Sequence, residues 1–310
     1  MNDVAVICPG CGADNTSRLG NIAPSNLFAG RQLEQVLPGG SLWACPSCHL
    51  LFRYPRPEVE TLKTLYQSGA AENWPTPVDQ RTDWCLVRNW IKSKQGISRV
   101  LDVGCFDGRL LEYLGRDYVW LGVEMHEEAA RRARERGVNL VSADFNQQQA
   151  PTVDADVALA IDVIEHSADP QKFLADIASC VRPGGYVVIT TGNTNAPSWR
   201  LMGSRYWYCY IAEHLSFISP VWAKTAAARL DLDIEFLRTF SHAEGTITLL
   251  RKIYEAVANL LLRFAPALFA WLRKHGGGGI DVTRFPELAL APPYWMSAQD
   301  HMLIVFRKRQ

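Results

Sequence analysis

The sequence predicts an α/β protein, a doubly wound sheet preceded by a small cysteine-clipped segment, and three observations carry that expectation. From residue 99 onward, short apolar runs alternate with helix-like stretches, the pattern of a parallel sheet covered by helices on both faces. The first of these runs ends in a glycine turn, RVLDVGCFDG, that leads straight into the helix-like RLLEYLG. Ahead of it stand two Cys-Pro-x-Cys pairs, Cys8 with Cys11 and Cys45 with Cys48.

Size and charge narrow the class. A chain of 310 residues holds one large domain or two modest ones. The formal net charge is zero, which argues against a general nucleic-acid binder, so no nucleic-acid partner is expected. The start, MNDVAVICPG, lacks a basic and then apolar leader, and a reducing, cytoplasmic setting is expected for the cysteines.

Residues 1–56 read as a zinc-binding, zinc-ribbon-like segment. Each Cys-Pro-x-Cys turn presents two thiolates, and together Cys8, Cys11, Cys45 and Cys48 fill a tetrahedron. With four cysteines no position is left for water, so the expected Zn2+ is structural. The intervening span should carry a hairpin with an irregular loop, NIAPSNLFAG. Residues 57–98 then read as a linker with leading helices. Pro57 stands near the first turn of one, NWPTPV (residues 73–78) is the connection, and RTDWCLVRNWIKSK carries an apolar helical stripe that packs on the sheet or covers its crevice.

From residue 99 to 310 the strands follow in order. VWLGVEM is the second, and HEEAARRARERG the helix after it. NLVSADF is the third strand, and ADVALAIDVIEH the fourth, followed by a helix that Asp169 caps and Pro170 opens. GYVVITTGN is the fifth. Ser219 and Pro220 open a further helix, DIEFLRTF is the sixth strand, and HMLIVFRKR should pair antiparallel at an edge.

Ligands of such sheets bind beyond the carboxyl ends of the strands. On that rim stand Asp102, Gly104, Cys105 and Gly108 from the first turn, Glu124 and Met125 from the second strand, Asp144 and Phe145 from the third, and Asp162 from the fourth. Glu124 follows Asp102 by about 20 residues, a spacing that suits a carboxylate accepting from ribose hydroxyls. Asp144 suits an exocyclic amine of a purine, with Phe145 against its ring. The dinucleotide fingerprint Gly-x-Gly-x-x-Gly is absent, which disfavours a pyrophosphate cradle.

VLDVGCFDG, Glu124, the pair Asp144-Phe145, ADVALAIDVIEH and VRPGGYVVIT together resemble the class I S-adenosylmethionine-dependent methyltransferases, over most of residues 85–242 and the last strand. The resemblance implies a Rossmann-like seven-stranded sheet and S-adenosylmethionine as cofactor. The glycine turn would hold its methionine part, Glu124 its ribose, and Asp144 and Phe145 its adenine, with Asp162 near the methionyl end. Phe106 departs from the family's three-glycine turn. The front cysteine pairs and YWYCYIAEHLSFIS are similar to zinc-clipped methyltransferases that modify sugars and polysaccharides, in which a Glu-His pair lies over the acceptor.

Methyl transfer requires in-line placement and removal of a proton from the acceptor. His214 is the candidate base, with Glu213 or Tyr210 orienting it or the substrate, and His166 is a second candidate. Trp199, Tyr206, Trp207, Tyr208 and Tyr210 either stack on a sugar or pack a lid. The expected activity is methyl transfer to a small-molecule or glycan acceptor: O-methylation of a sugar-type hydroxyl or C-methylation of a nucleotide sugar. A zinc-ribbon binding module with a degenerate cofactor domain is the alternative of another class. Residues 248–280 form an apolar helical insertion, too short to span a bilayer. Its basic ends at 251–274 suit a membrane surface, while a lid or a homodimer contact fits the same pattern and is favoured.

Overall fold

The computed structural model describes residues 5–29, 31–67, 81–143, 152–241, 247–276 and 282–310. The front segment contributes β1 (Ser17–Asn21), β2 (Ser25–Phe28), β3 (Arg31–Leu37), β4 (Ser41–Ala44) and β5 (Leu51–Tyr54). Two helices follow, α1 (Val59–Gln67) and α2 (Thr82–Lys92). The alternating region runs β6 (Arg99–Val103), α3 (Arg109–Leu114), β7 (Val119–Val123), α4 (Glu127–Glu135), β8 (Asn139–Ser142), β9 (Ala155–Ile161), α5 (Pro170–Ser179) and β10 (Val181–Gly192). Then come α6 (Pro197–Met202), α7 (Trp207–Tyr210), β11 (Ser216–Phe217), α8 (Pro220–Arg229), β12 (Leu232–Phe240), α9 (Leu249–Phe264), α10 (Pro266–Gly276) and β13 (His301–Lys308).

The main sheet has seven strands in the order β12-β13-β10-β9-β6-β7-β8. All pairings are parallel except those of β13, which runs antiparallel to both β10 and β12. This corrects the expected edge position of HMLIVFRKR. Its first six residues are buried, and it hydrogen-bonds to β10 on one side and β12 on the other, which makes it an interior strand. Arg309, beyond it, pairs with Asp231 and Asp233 at the surface.

Alternate side chains of each strand serve opposite layers. Leu101, Val103, Val187, Ile189, Ile304 and Phe306 pack with Phe173 of α5 and Trp222 of α8. Val100, Val157, Leu159, Val188, Leu303 and Val305 pack with Val87, Trp90 and Ile91 of α2 and Leu110 and Leu111 of α3. The stripe on α2 therefore packs on the sheet. Local signals start the helices as expected: Asp169 accepts from the Gln171 and Lys172 amides at 3.1 and 2.9 Å, and Ser219 accepts from the Trp222 amide at 3.0 Å.

Two features of the front segment differ from expectation. The loop NIAPSNLFAG contains β2, which pairs with β3 in a hairpin. The four-stranded sheet β1-β4-β5-β11 takes its last strand from the loop region that follows α7. Cys8, Cys45, Cys48 and Leu50 join the same apolar cluster as Phe173 and Trp222, so the clip is packed onto the helices of the main sheet.

Among the described residues no helix is long and apolar enough to cross a membrane. α9 and α10 nevertheless present an apolar face to solvent, with Leu250 80% and Tyr254 70% exposed.

Candidate active site

Strand order reverses around β6 and β9, which places the crevice of the sheet beyond their carboxyl ends. The turn after β6 is tied to β7: the amides of Gly104 and Cys105 donate to Val123 O at 2.9 and 3.1 Å. Gly104 sits at φ 77°, and a Cβ there would meet Val163 Cγ2 at 2.9 Å, so this backbone has no room for a side chain. Phe106, at φ 49°, holds the left-handed conformation that glycine normally supplies. Its amide donates to Glu124 Oε2 at 2.9 Å, and the His126 amide donates to Glu124 Oε1 at 2.7 Å. Glu124 thereby stands just past β7 with both oxygens aimed and a lone pair left on each. Burial raises its pKa against those two bonds.

Asp102, on β6, is 2% exposed, and burial together with the nearby Glu124 charge pushes its pKa up to about 8. Asp162, after β9, accepts from Thr190 Oγ1 at 3.1 Å and from Arg81 at 3.0 Å. Arg81, the residue before α2, also pairs with the buried Asp83 and lies over the Trp84 ring at 4.9 Å. It joins the start of α2 to the end of β9, and no motif in the sequence announced it. Cys105 is buried and Met125 half-buried beside the turn. Asp144 and Phe145 lie outside the described residues.

Next to Asp162 the structure gathers Glu165, His166 and His214. Glu165 is 1% exposed; Tyr208 Oη donates to its Oε1 at 2.6 Å and Thr191 Oγ1 to its Oε2 at 2.9 Å. Burial and the Asp162 charge push its pKa up to about 8. His214 Nδ1 lies 3.0 Å from Tyr208 O, which can only accept, so the proton sits on Nδ1 and Nε2 keeps its lone pair. Burial, helped by His166, holds its pKa well below the usual imidazole value, so the ring is neutral.

The partners expected for His214 are elsewhere. Glu213 accepts from the Ala29 amide at 2.7 Å, in the β2–β3 hairpin, and its Oε2 is buried without a partner among the described residues. Tyr210 packs with Leu288 and Ala291. Orientation of His214 comes instead from the Tyr208 carbonyl. The aromatic cluster is core: Trp199 stacks on Tyr206 at 4.9 Å, and Trp199, Tyr206, Trp207 and Tyr208 are at most 6% exposed, which leaves no face for a sugar.

Arg53, on β5, was missed by sequence reasoning. It is 1% exposed and donates to His214 O at 3.0 Å, Cys209 O at 2.6 Å, Ile211 O at 2.9 Å and Gly39 O at 2.5 Å. A strand of the clip thus fixes the loop that carries His214. Burial lowers its pKa only to about 10, so it stays charged at neutral pH.

At the front, the sulfurs of Cys8, Cys11, Cys45 and Cys48 lie within 4.8 Å of one another, with Cys8–Cys48 at 3.6 Å and Cys11–Cys45 at 3.5 Å. Four thiolates about 2.3 Å from a tetrahedral zinc stand about 3.8 Å apart, so the donor set fits that ion.

Three comparisons bear on this geometry. A family model described as a methyltransferase domain matches residues 49–235. The ubiquinone biosynthesis O-methyltransferase of Aeromonas salmonicida is 34% identical over 150 residues, 43% of this chain and 63% of that protein. Its namesake in Pectobacterium atrosepticum is 34% identical over 121 residues, 35% of this chain and 49% of that protein, so the match spans less than two thirds of these relatives. Among solved structures, a chain of the complex between the Haloferax volcanii Trm112 methyltransferase activator and a methyltransferase aligns with TM-score 0.51 and 14% identity, over 80% of this chain and 97% of that one. At that identity it shows the fold alone.

Proposed function

The chain belongs to the methyltransferase-domain family, and we propose that it moves the methyl group of S-adenosylmethionine to an oxygen of a small-molecule acceptor. The observation that carries the reading is Glu124, pinned between the Phe106 and His126 amides at the end of β7 with lone pairs free for a ribose diol. The cofactor supplies an electrophilic methyl on a sulfonium. Gly104 gives it close access to backbone, Asp162 provides negative charge at the methionyl end and the buried Asp102 a hydrogen-bonding carboxyl, with Cys105, Gly108 and Met125 completing the wall. Asp144 and Phe145 keep the adenine role in this proposal.

Acceptor activation falls to the end of the crevice beside Asp162. There His214 offers a neutral Nε2, with Glu165 and His166 at hand. A sugar-type acceptor remains our reading at the level of its hydroxyls, since the aromatic residues that would stack on a ring are buried. Zn2+ on the four cysteines is structural: it fixes β4 and β5, and through Arg53 the loop of His214. The intact glycine turn and carboxylates favour this reading over a binding module with a degenerate cofactor domain. In the 249–276 hairpin the one acid, Glu255, is 4% exposed, so its exposed charges are basic; we assign its apolar face to an anionic lipid surface. Flotation with anionic but not neutral vesicles supports that contact, whereas a dimer in sedimentation with no flotation contradicts it.

The functional test is incubation of zinc-loaded protein with S-adenosylmethionine and hydroxylated acceptors, sugars and phenols among them. A product heavier by one methyl group supports the proposal; cofactor that binds but is never consumed across both acceptor classes contradicts it.

A further inference from the structure

We infer that Glu165, His166 and His214 form a second metal centre, a site for one divalent first-row cation that holds two adjacent oxygens of the acceptor. The three side chains offer ligand atoms that all lie within 4.8 Å of one another. Glu165 and His166 come from one short turn, Ile164–His166, at the end of β9. His214 comes from the loop that Arg53 holds. Ligand atoms around such a cation stand about 3–4 Å apart, so binding draws the set together by about an ångström.

What the three residues do with their other polar atoms is the second observation. His214 donates from Nδ1 to Tyr208 O at 3.0 Å. His166 Nδ1 faces Glu213 O at 3.3 Å and Tyr66 Oη at 2.9 Å. The Tyr208 carbonyl can only accept, so His214 carries its proton on Nδ1 and keeps the lone pair on Nε2, while His166 is held at Nδ1 between the Glu213 carbonyl and the Tyr66 hydroxyl. Metal-binding imidazoles are oriented in this way, with the far nitrogen donating to a carbonyl. Glu165 accepts on both oxygens, from Tyr208 and Thr191, and each oxygen keeps a further lone pair. No Lys or Arg ion pair to Glu165 occurs among the described residues, so no basic side chain competes with a cation there.

The donor set names the class of ion. Two imidazoles and one carboxylate leave half of an octahedron open and suit manganese, iron or cobalt better than magnesium, which prefers oxygen ligands throughout. Glu165 and His214 are buried and His166 is half-buried, the most exposed of the three. Vicinal hydroxyls, as in a sugar diol or a catechol, fill two of the open positions as a chelate. The cation lowers the pKa of the bound hydroxyl, whose proton leaves to water, and in the metal-loaded site this replaces His214 as the base, since its Nε2 is then a ligand. The oxygen's electron pair then forms the O–CH3 bond while the C–S bond breaks, and the sulfonium leaves as a neutral thioether. The acceptor half of this inference rests on the methyl-transfer reading; the metal half does not.

The test is titration of zinc-loaded protein with Mn2+, followed by electron paramagnetic resonance. Mn2+ is chosen because thiolates select softer ions, so the cysteine clip does not compete. One Mn2+ per chain is expected, with affinity weakened at least about tenfold in His166→Gln and in Glu165→Gln while S-adenosylhomocysteine binding is retained. Added catechol should change the spectrum of the bound ion, and phenol should not. No bound Mn2+ at millimolar concentration, or equal binding by wild type and both variants, overturns the site; indifference of the bound ion to catechol overturns the chelate. None of these outcomes depends on turnover, so failure of the metal site and failure of the methyl-transfer proposal are read separately.

Discussion

The amide of Phe106 donates to Glu124 Oε2 at 2.9 Å, so the residue that stands in a glycine's conformation also aims the carboxylate of the next strand. Turn and acid form one unit. Glu124→Gln replaces an acceptor oxygen by a donor that faces an amide. Loss of a charged hydrogen bond costs about 1.5–3 kcal/mol, so S-adenosylhomocysteine affinity by calorimetry should fall roughly 10–100-fold. Phe106→Gly should keep that affinity, because glycine adopts the same φ without strain; a loss equal to that of Glu124→Gln would assign the site to the phenyl ring.

Arg53 donates to four backbone carbonyls from a fully buried position. Arg53→Lys offers a single ammonium in place of the fork, and each carbonyl left unpaired costs about 1–3 kcal/mol. The denaturation midpoint and turnover should both drop while zinc content is unchanged. An unchanged midpoint would remove Arg53 from the positioning of His214.

Asp102 and Glu165 hold their protons up to about pH 8 in the folded chain. Their unfolded counterparts release them near pH 4, so the native state binds more protons across that interval and its stability falls as pH rises. Below about pH 6.5 the depressed His166 and His214 act in the opposite direction, because unfolding lets them take up protons. The window from about pH 6.5 to 8 is therefore free of that opposition. Melting temperature of cofactor-free, zinc-loaded protein should decline across it, and less steeply in Asp102→Asn. Parallel curves for the two proteins would contradict the burial of an ionisable Asp102.

Cys8, Cys45 and Cys48 share a core with Phe173 and Trp222. Metal analysis should find one zinc in the cysteine clip, and Cys45→Ser should lose it and lower the melting temperature of the whole chain in a single transition. Two separate transitions would show that the clip is an appendage.

Much of this was legible because local rules govern it. Apolar runs, the caps Asp169 and Ser219, and the glycine turn fixed β6, β7, β9, β10, α5 and α8 closely, and the two Cys-Pro-x-Cys pairs meet as their spacing implied. Contacts between distant segments were not legible. The place of β13 between β10 and β12 depends on its hydrogen bonds to both, which a single apolar run does not reveal. Arg53 and Arg81 act across the chain, at Cys209–His214 and at Asp162, and a lone arginine carries no pattern. The pair Glu213-His214 read as one device, yet Glu213 accepts from the Ala29 amide while His214 turns to the Tyr208 carbonyl.

The most direct measurement is calorimetric titration of S-adenosylhomocysteine into zinc-loaded protein. One site per chain is expected, weakened by Glu124→Gln and preserved in His166→Gln. Absence of binding by folded, zinc-loaded wild type, or equal binding by Glu124→Gln, would contradict the assignment of the crevice at Gly104 and Glu124 to this cofactor.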